Sequence, residues 1–356
     1  MSLFERFCGS RRSSVRSADN FLMRIGFFEL EGWEEGAIRK GLSGHDLFVS
    51  RKRIDDANLP ERKDFNVISV FIDSRVTPKV IEALPELKLV TTRSTGYEHL
   101  DLAALAKRGV AAAYVPGYGD NTVAEFAFGL LLNLTRKMYQ GIDQIKETGS
   151  FSSEGLRGVD IKGKTIGIVG TGRIGREMIR IAAGFGMRVV AADPHPDGKF
   201  AKEAGFEYVP LEKLLARSDI ISIHCPFTKE TRHLINAGNV GLIKKGAYLV
   251  NTARGGIVET AALIQGLQSG ILRGAALDVL EEEKEVKEEL EFLSKDIGEE
   301  ELRIMLQNLA LMKMPNVLIT PHNAFNSEEA MQRILQTTIE NIGSFAAGKP
   351  VNLVRQ

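Results

Sequence analysis

Cysteine is nearly missing from this sequence of 356 residues: Cys8 and Cys225 are the only two. Two thiols exclude a disulfide framework and suit a reducing compartment. Net charge is missing as well. Lys plus Arg equals Asp plus Glu at 46 each, so no global field draws the chain to nucleic acid or to an anionic membrane. The longest apolar runs, such as the one around Phe126 to Leu132, fall short of the roughly 20 residues that a bilayer helix needs. Nor is this a disordered composition. Hydrophobic residues make up 44% and charged residues 26%, whereas disorder requires little hydrophobicity and a large net charge. The expectation is a soluble, cytoplasmic protein with no metal site and no nucleic-acid or membrane partner.

What is abundant is glycine, 35 residues without a collagen-like period, which signals tight turns and close backbone approaches. The length suggests two domains at roughly 150 residues each. The first 22 residues stand apart, with Arg6, Arg11, Arg12 and Arg16 among Ser10, Ser13, Ser14 and Ser17. They read as a disordered or non-native extension, with Met23 as an alternative start, or as an Arg- and Ser-rich targeting peptide.

From Met23 short apolar runs alternate with amphipathic stretches. Residues 23–29, 67–72, 87–93 and 111–115 read as buried strands, with helical patterns such as 78–84 and 101–108 between them. A second series of six strands follows at 165–169, 188–192, 219–224, 246–251, 274–279 and 317–320. Alternation of this kind predicts parallel sheets with helices on both faces. The join is placed near Asn121, after the turn Gly117-Tyr118-Gly119-Asp120. Thr122 and Glu125 fit a capping box opening a long helix over about 122–138. The acidic run 281–301 reads as a solvated helical excursion.

Two patterns carry chemistry. Gly170-Thr-Gly172-Arg173-Ile174-Gly175 follows the strand TIGIV and opens a helix. In that context the first glycine permits the turn, the second lets backbone approach a pyrophosphate, and the third lets helix and strand pack. The helix start then favours phosphate charge. Asp193, 18 residues beyond Gly175, ends the next strand, where a carboxylate binds an adenosine ribose and disfavours a 2′-phosphate, so the cofactor is read as NAD. The second pattern is a set of ionisable residues just past strand ends, where ligands bind in open α/β sheets. Arg254, Glu283 and His322 supply one fixed cation, one carboxylate and one imidazole. That set suits hydride transfer to or from a 2-oxo or 2-hydroxy acid. The guanidinium holds a carboxylate in bidentate fashion, the imidazole moves the accompanying proton, and a paired carboxylate orients the imidazole and favours its charged form.

With these residues in view, the chain resembles the D-isomer-specific 2-hydroxyacid dehydrogenase family from Met23 to the C-terminus. The carriers are the glycine turn at 170–175, Asn-Thr-Ala-Arg-Gly-Gly at 251–256, Leu-Asp-Val-Leu-Glu-Glu-Glu at 277–283 and Thr-Pro-His-Asn-Ala-Phe at 320–325. The resemblance implies that Arg254 binds substrate, Glu283 is the carboxylate partner and His322 the acid/base. It also implies that Asp278 lies near the nicotinamide, that Thr252 and Ala253 line the cofactor, and that Cys225, Pro226 and Thr231 belong to the loop over the adenosine. In the first domain, Arg93-Ser94-Thr95-Gly96 resembles the loop whose backbone amides hold the substrate carboxylate, which the resemblance gives to Ser94, Thr95 and Gly96. Tyr118 and Phe325 are similar to aromatic residues of the D-lactate dehydrogenase subgroup, although Gly119-Asp120-Asn121 departs from that subgroup's Ser-Pro-Asn.

The expected fold is thus α/β with two doubly wound parallel-sheet domains. A Rossmann NAD-binding domain, 122–325, is inserted in a discontinuous flavodoxin-like substrate domain, 23–121 plus 326–356, and the active site is expected in the cleft between them. The expected reaction is reversible reduction of a small 2-oxo acid, foremost pyruvate to D-lactate, by a homodimer. The alternatives are glyoxylate, hydroxypyruvate or a bulkier 2-oxo acid, or an NAD-sensing, corepressor-like binding protein.

Overall fold

A computed structural model describes residues 22–282 and 298–354. The N-terminal extension up to residue 21, Glu283 and most of the acidic run lie outside the described residues. The chain divides into two compact units, Met1–Tyr118 with Met331–Gln356, and Gly119–Ala330.

The first unit holds β1 (Arg24–Phe27), α1 (Gly32–Gly41), β2 (Asp46–Val49), β3 (Val67–Val70), α2 (Pro78–Ala83), β4 (Leu89–Thr92), α3 (Leu102–Lys107) and β5 (Ala111–Ala113). The strands form one parallel sheet in the order β2-β1-β3-β4-β5. Alternate residues face opposite layers, as a pleated strand requires. Ile25, Phe27, Val67 and Leu89 pack with Ile38 of α1 and with Leu335 and Ile342 from the C-terminal stretch. Ile68, Val70 and Val90 pack with Val80, Ile81 and Leu105 of α2 and α3. Each such side chain, once buried, is worth about 1.5–3 kcal/mol.

The second unit contains α4 (Asp120–Arg136), α5 (Met138–Thr148), β6 (Thr165–Val169), α6 (Arg173–Gly184), β7 (Arg188–Ala192), α7 (Gly198–Ala204), β8 (Glu207–Tyr208) and α8 (Leu211–Arg217). It continues with β9 (Ile220–Ile223), β10 (Ala247–Asn251), α9 (Thr260–Gln268), β11 (Leu272–Leu277), α10 (Glu299–Met312) and β12 (Val317–Ile319). The last helix, α11 (Glu328–Ala346), starts here and runs into the first unit's C-terminal stretch. Seven parallel strands lie in the order β12-β11-β10-β9-β6-β7-β8. The chain reverses direction across the sheet between β6 and β9, and that switch point is where doubly wound sheets bind ligands.

The expected fold class is therefore observed, with local corrections. The second sheet has seven strands rather than six. Both strands not anticipated, β2 and β8, lie at sheet edges, where burial on two faces is not needed; β2 carries only the three apolar residues Leu47–Val49, and β8 is only Glu207–Tyr208. The long helix starts at Asp120 with Gly119 at its cap and no side-chain cap bond. The capping box at Thr122 and Glu125 is not formed. Thr122 is buried inside the helix, and the Glu125 carboxylate accepts from the Asn121 side chain at 2.9 Å. Core packing decides this start over the local cap signal.

Candidate active site

The glycine turn sits at the switch point of the second sheet. Gly170 leaves β6 with φ +90, and a Cβ there would lie 2.6 Å from the Cys225 amide nitrogen at the exit of β9. A Cβ on Gly175 would lie 2.1 Å from the Gly170 carbonyl oxygen. Packing within the protein thus requires both outer glycines. Gly172 differs. It caps α6 in an extended conformation, and among the described residues a Cβ there would meet nothing within 4 Å. Space in front of the α6 amide groups, beginning at Arg173 and Ile174, is what a pyrophosphate needs.

Asp193 closes the far side of this turn. Its carboxylate accepts the Thr171 amide at 2.6 Å, the Thr171 hydroxyl at 2.9 Å and the His195 amide at 2.8 Å. Burial alone would push its pKa up, but the bonds from Thr171 and His195 outweigh it and hold the carboxyl below its ordinary value. Asp193 is therefore a charged acceptor beside the turn. Across the switch point, burial pushes the Cys225 thiol up to about 11, so it is no nucleophile at neutral pH. Burial also pushes His224 down to about 4, which leaves a neutral ring bonded to the Ser222 hydroxyl at 2.9 Å. Thr231 ties this loop together by donating to the Pro226 carbonyl at 2.7 Å.

Strands β10, β11 and β12 are neighbours and parallel, so Thr252–Arg254, Asp278 and His322 leave the same edge side by side. Asn251 shapes the first exit. Its side chain accepts the Ala253 amide at 3.0 Å and donates to the Arg254 carbonyl at 2.9 Å. The Thr252 hydroxyl oxygen is buried with no hydrogen-bond partner among the described residues. Asp278 is 1% exposed and serves the third exit. Its carboxylate accepts the Thr320 hydroxyl at 2.5 Å and the Asn323 and Ala324 amides at 2.8 Å. Burial pushes its pKa up, and these bonds only partly offset that. The imidazole of His322 meets Phe325 edge-on, with centroids 6.5 Å apart.

In the first unit the loop after β4 has a matching economy. Ser94 donates to the Gly96 carbonyl at 2.6 Å, and Thr95 to the Val115 carbonyl at 2.8 Å. Among the described residues, none accepts a hydrogen bond from the amides of Ser94, Thr95 or Gly96. Three backbone donors are thereby held open, and Ser94 is 4% exposed. Immediately before them is Arg93, the first residue of the loop that the sequence reading matched to the family. It is 2% exposed and donates to the Phe28 and Glu29 carbonyls at 2.9 and 2.6 Å. Tyr118 follows Gly117, whose φ is +69, and its carbonyl accepts from Arg333 at 2.6 Å. Glu283 lies outside the described residues. Of the two described glutamates before it, Glu281 is buried and bonded to His233, and Glu282 is exposed. Neither Glu281 nor His233 was singled out in the sequence, because nothing local separates Glu281 from Glu282.

The residues present fit a dinucleotide: an unfilled glycine position at a helix start, a charged acceptor beyond it, and the orphaned Thr252 hydroxyl further along the same sheet edge. Comparison with known proteins agrees. Residues 128–324 match the family model described as D-isomer specific 2-hydroxyacid dehydrogenase, NAD binding domain. A 2-hydroxyacid dehydrogenase homolog of Zymomonas mobilis is 39% identical over 332 residues, 92% of this chain and 98% of that protein. The structure of the pyruvate reductase of Chlamydomonas reinhardtii superposes with a TM-score of 0.84 at 32% identity, covering 94% of this chain and 99% of that one. D-lactate dehydrogenase from Aquifex aeolicus, solved with NAD and lactic acid, gives 0.80 at 32% identity over 92% and 96%.

Proposed function

The chain belongs to the D-isomer-specific 2-hydroxyacid dehydrogenase family, and on that premise we propose that it reduces pyruvate reversibly to D-lactate. It is an NAD-dependent oxidoreductase acting on a CH–OH group. When bound, NADH supplies the hydride; the chain supplies everything else.

Gly170, Gly172 and the amides opening α6 at Arg173, Ile174 and Gly175 hold the pyrophosphate. Asp193 accepts from the ribose, and Cys225, Pro226 and Thr231 line the adenosine. Thr252 and Ala253 border the nicotinamide end. The guanidinium of Arg254 binds the substrate carboxylate through two parallel N–H donors, a geometry that an ammonium lacks. The amides of Ser94, Thr95 and Gly96 are further carboxylate donors. His322 gives its proton to the substrate oxygen during reduction and takes it back during oxidation. Glu283 orients that imidazole. His224 does not serve as the acid, since it is neutral at the working pH.

The observation that carries the reading is the placement of Arg254, Asp278 and His322 at the carboxyl ends of three adjacent strands, in the sheet whose switch point holds the glycine turn. Phe325 against the imidazole, and Tyr118, favour a small substrate, and both solved relatives above are named for pyruvate or lactate. The test is the fall in NADH absorbance with pyruvate, glyoxylate, hydroxypyruvate and bulkier 2-oxo acids, with the product resolved into D and L isomers. Pyruvate should give the highest kcat/KM and only D-lactate. A higher value for another acid replaces the substrate, and no turnover with any of them ends the enzymatic reading.

The protein is further taken to act in the cytoplasm as a homodimer. In support, α5 carries no buried residue and leaves Met138, Tyr139, Ile142 and Ile145 exposed, and no helix among the described residues is long and apolar enough to cross a membrane. Light scattering after gel filtration checks the mass, and fractionation checks the compartment.

A further inference from the structure

A buried polar cluster outside the residues assigned above joins four separate stretches of the second unit. Its centre is Glu281, 6% exposed. One carboxylate oxygen accepts from His233 Nε2 at 2.6 Å. The other accepts the Thr260 amide at 3.1 Å and the Thr260 hydroxyl at 2.7 Å, at the start of α9. The Glu281 carbonyl accepts from the side chain of Asn308 on α10 at 2.8 Å, and Asn308 is 0% exposed. A carboxylate only accepts, so the imidazole carries its hydrogen on Nε2.

The cluster lies against the arginine turn. A Cβ on Gly255 would fall 1.9 Å from the Leu280 carbonyl carbon and 2.2 Å from the Glu281 nitrogen. The backbones that carry Arg254 and Glu281 are therefore in direct contact. His233 also donates its own amide to the Gly256 carbonyl at 2.9 Å. One residue thus grips both sides of that contact, the 255–256 turn by its backbone and the 281 strand exit by its ring.

We propose that His233 and Glu281 are a positioning pair, whose bond fixes the direction in which Arg254 leaves its strand. Neither touches substrate in this reading, which rests on the 2-oxo acid reductase activity proposed above. Positioning at this range is worth having, because a shift of about 1 Å in a clamp or its partner costs on the order of 10²-fold in rate.

The ring of His233 is accessible enough, at 31%, for substitution without a buried void. His233→Ala should lower kcat for pyruvate reduction by about 10- to 100-fold, as loss of outer-shell orientation does elsewhere. KM for NADH should stay within twofold and the protein should remain folded by circular dichroism. His233→Gln places an amide N–H where Nε2 stands and should recover most of kcat. A purely structural role would instead lower Tm in both variants and leave the kcat of the folded fraction alone, and that result overturns the pair. So does failure of His233→Gln to exceed His233→Ala. Wild type that turns over no 2-oxo acid overturns the enzymatic reading and this role with it. Active wild type with an unchanged His233→Ala overturns the pair alone.

Discussion

Asp278 holds His322 in a backbone conformation that the histidine would not adopt unaided. His322 has φ +51, in the left-handed region that costs a non-glycine residue about 1–3 kcal/mol. The Asp278 carbonyl accepts the His322 amide at 2.9 Å, and its carboxylate takes the two amides that follow. The strained backbone at His322 is thus sustained by a buried aspartate one strand away, through its carbonyl and its carboxylate.

Asp278→Ala should therefore damage catalysis through His322. It leaves two amides and the Thr320 hydroxyl without their acceptor, at roughly 1–3 kcal/mol for each buried group left unpaired. The expected outcome is a lower Tm and a kcat reduced by about 10²-fold, with NADH affinity changed only a few-fold. Fluorescence titration of NADH decides between this and direct cofactor contact, which would move affinity first.

His322→Ala removes the proposed proton donor itself. Turnover should drop by about 10²–10⁴-fold while NADH still binds. Near-normal kcat would transfer the acid/base role to another group.

Arg254→Lys keeps the charge and loses the planar fork. KM for the 2-oxo acid should rise and kcat/KM fall by at least about tenfold, since a bidentate charge-assisted pair becomes a single contact. Steady-state kinetics at saturating NADH checks it, and an unaltered kcat/KM would remove the clamp.

The glycines of the turn should separate by experiment. Gly175→Ala drives a Cβ into the Gly170 carbonyl and should lower Tm sharply with or without cofactor. Gly172→Ala meets no atom of the described residues, so Tm of the cofactor-free protein should stay close to wild type. NADH binding should nevertheless weaken by about tenfold or more, as the added methyl stands where backbone approaches the pyrophosphate. Equal NADH affinity in Gly172→Ala would show that nothing binds in front of that residue.

His224 makes stability depend on pH in a stated direction. Its folded pKa of about 4 lies below the ordinary 6.5, so the folded state binds the proton less readily than the unfolded chain. Its contribution is whole above pH 6.5 and is lost as pH falls toward 4, up to about 2 kcal/mol between pH 7.5 and 5. His224→Gln keeps a bond to Ser222 and should flatten that part of the profile in urea titrations. An identical slope in the variant would assign the effect elsewhere.

Much of this was legible in the linear chain. Buried parallel strands announce themselves as short apolar runs, and the glycine turn is defined by residues within one strand–turn–helix unit. Arg254 and His322 were visible as polar residues directly behind such runs, because strand ends in this architecture point toward the ligand edge. Asp278, read as part of a strand, was reached only through the family resemblance, and Glu283 lies outside the described residues. Edge strands β2 and β8, and the start of α4 at Asp120, were not, since each is settled by what packs against it.

The deepest limit is the acidic triplet. Local sequence treats Glu281 and Glu282 alike, yet one is buried under His233, Thr260 and Asn308 while the other is exposed. Sequence alone determined the fold class, the dinucleotide turn and the chemical kinds at the strand ends, because those follow from periodicity and from spacings of a few residues. Tertiary structure decided which glutamate anchors the arginine turn, which glycine is left for the ligand, and which aspartate sustains the histidine's strained backbone. Those outcomes depend on partners dozens of residues away, which meet only when the sheet has assembled.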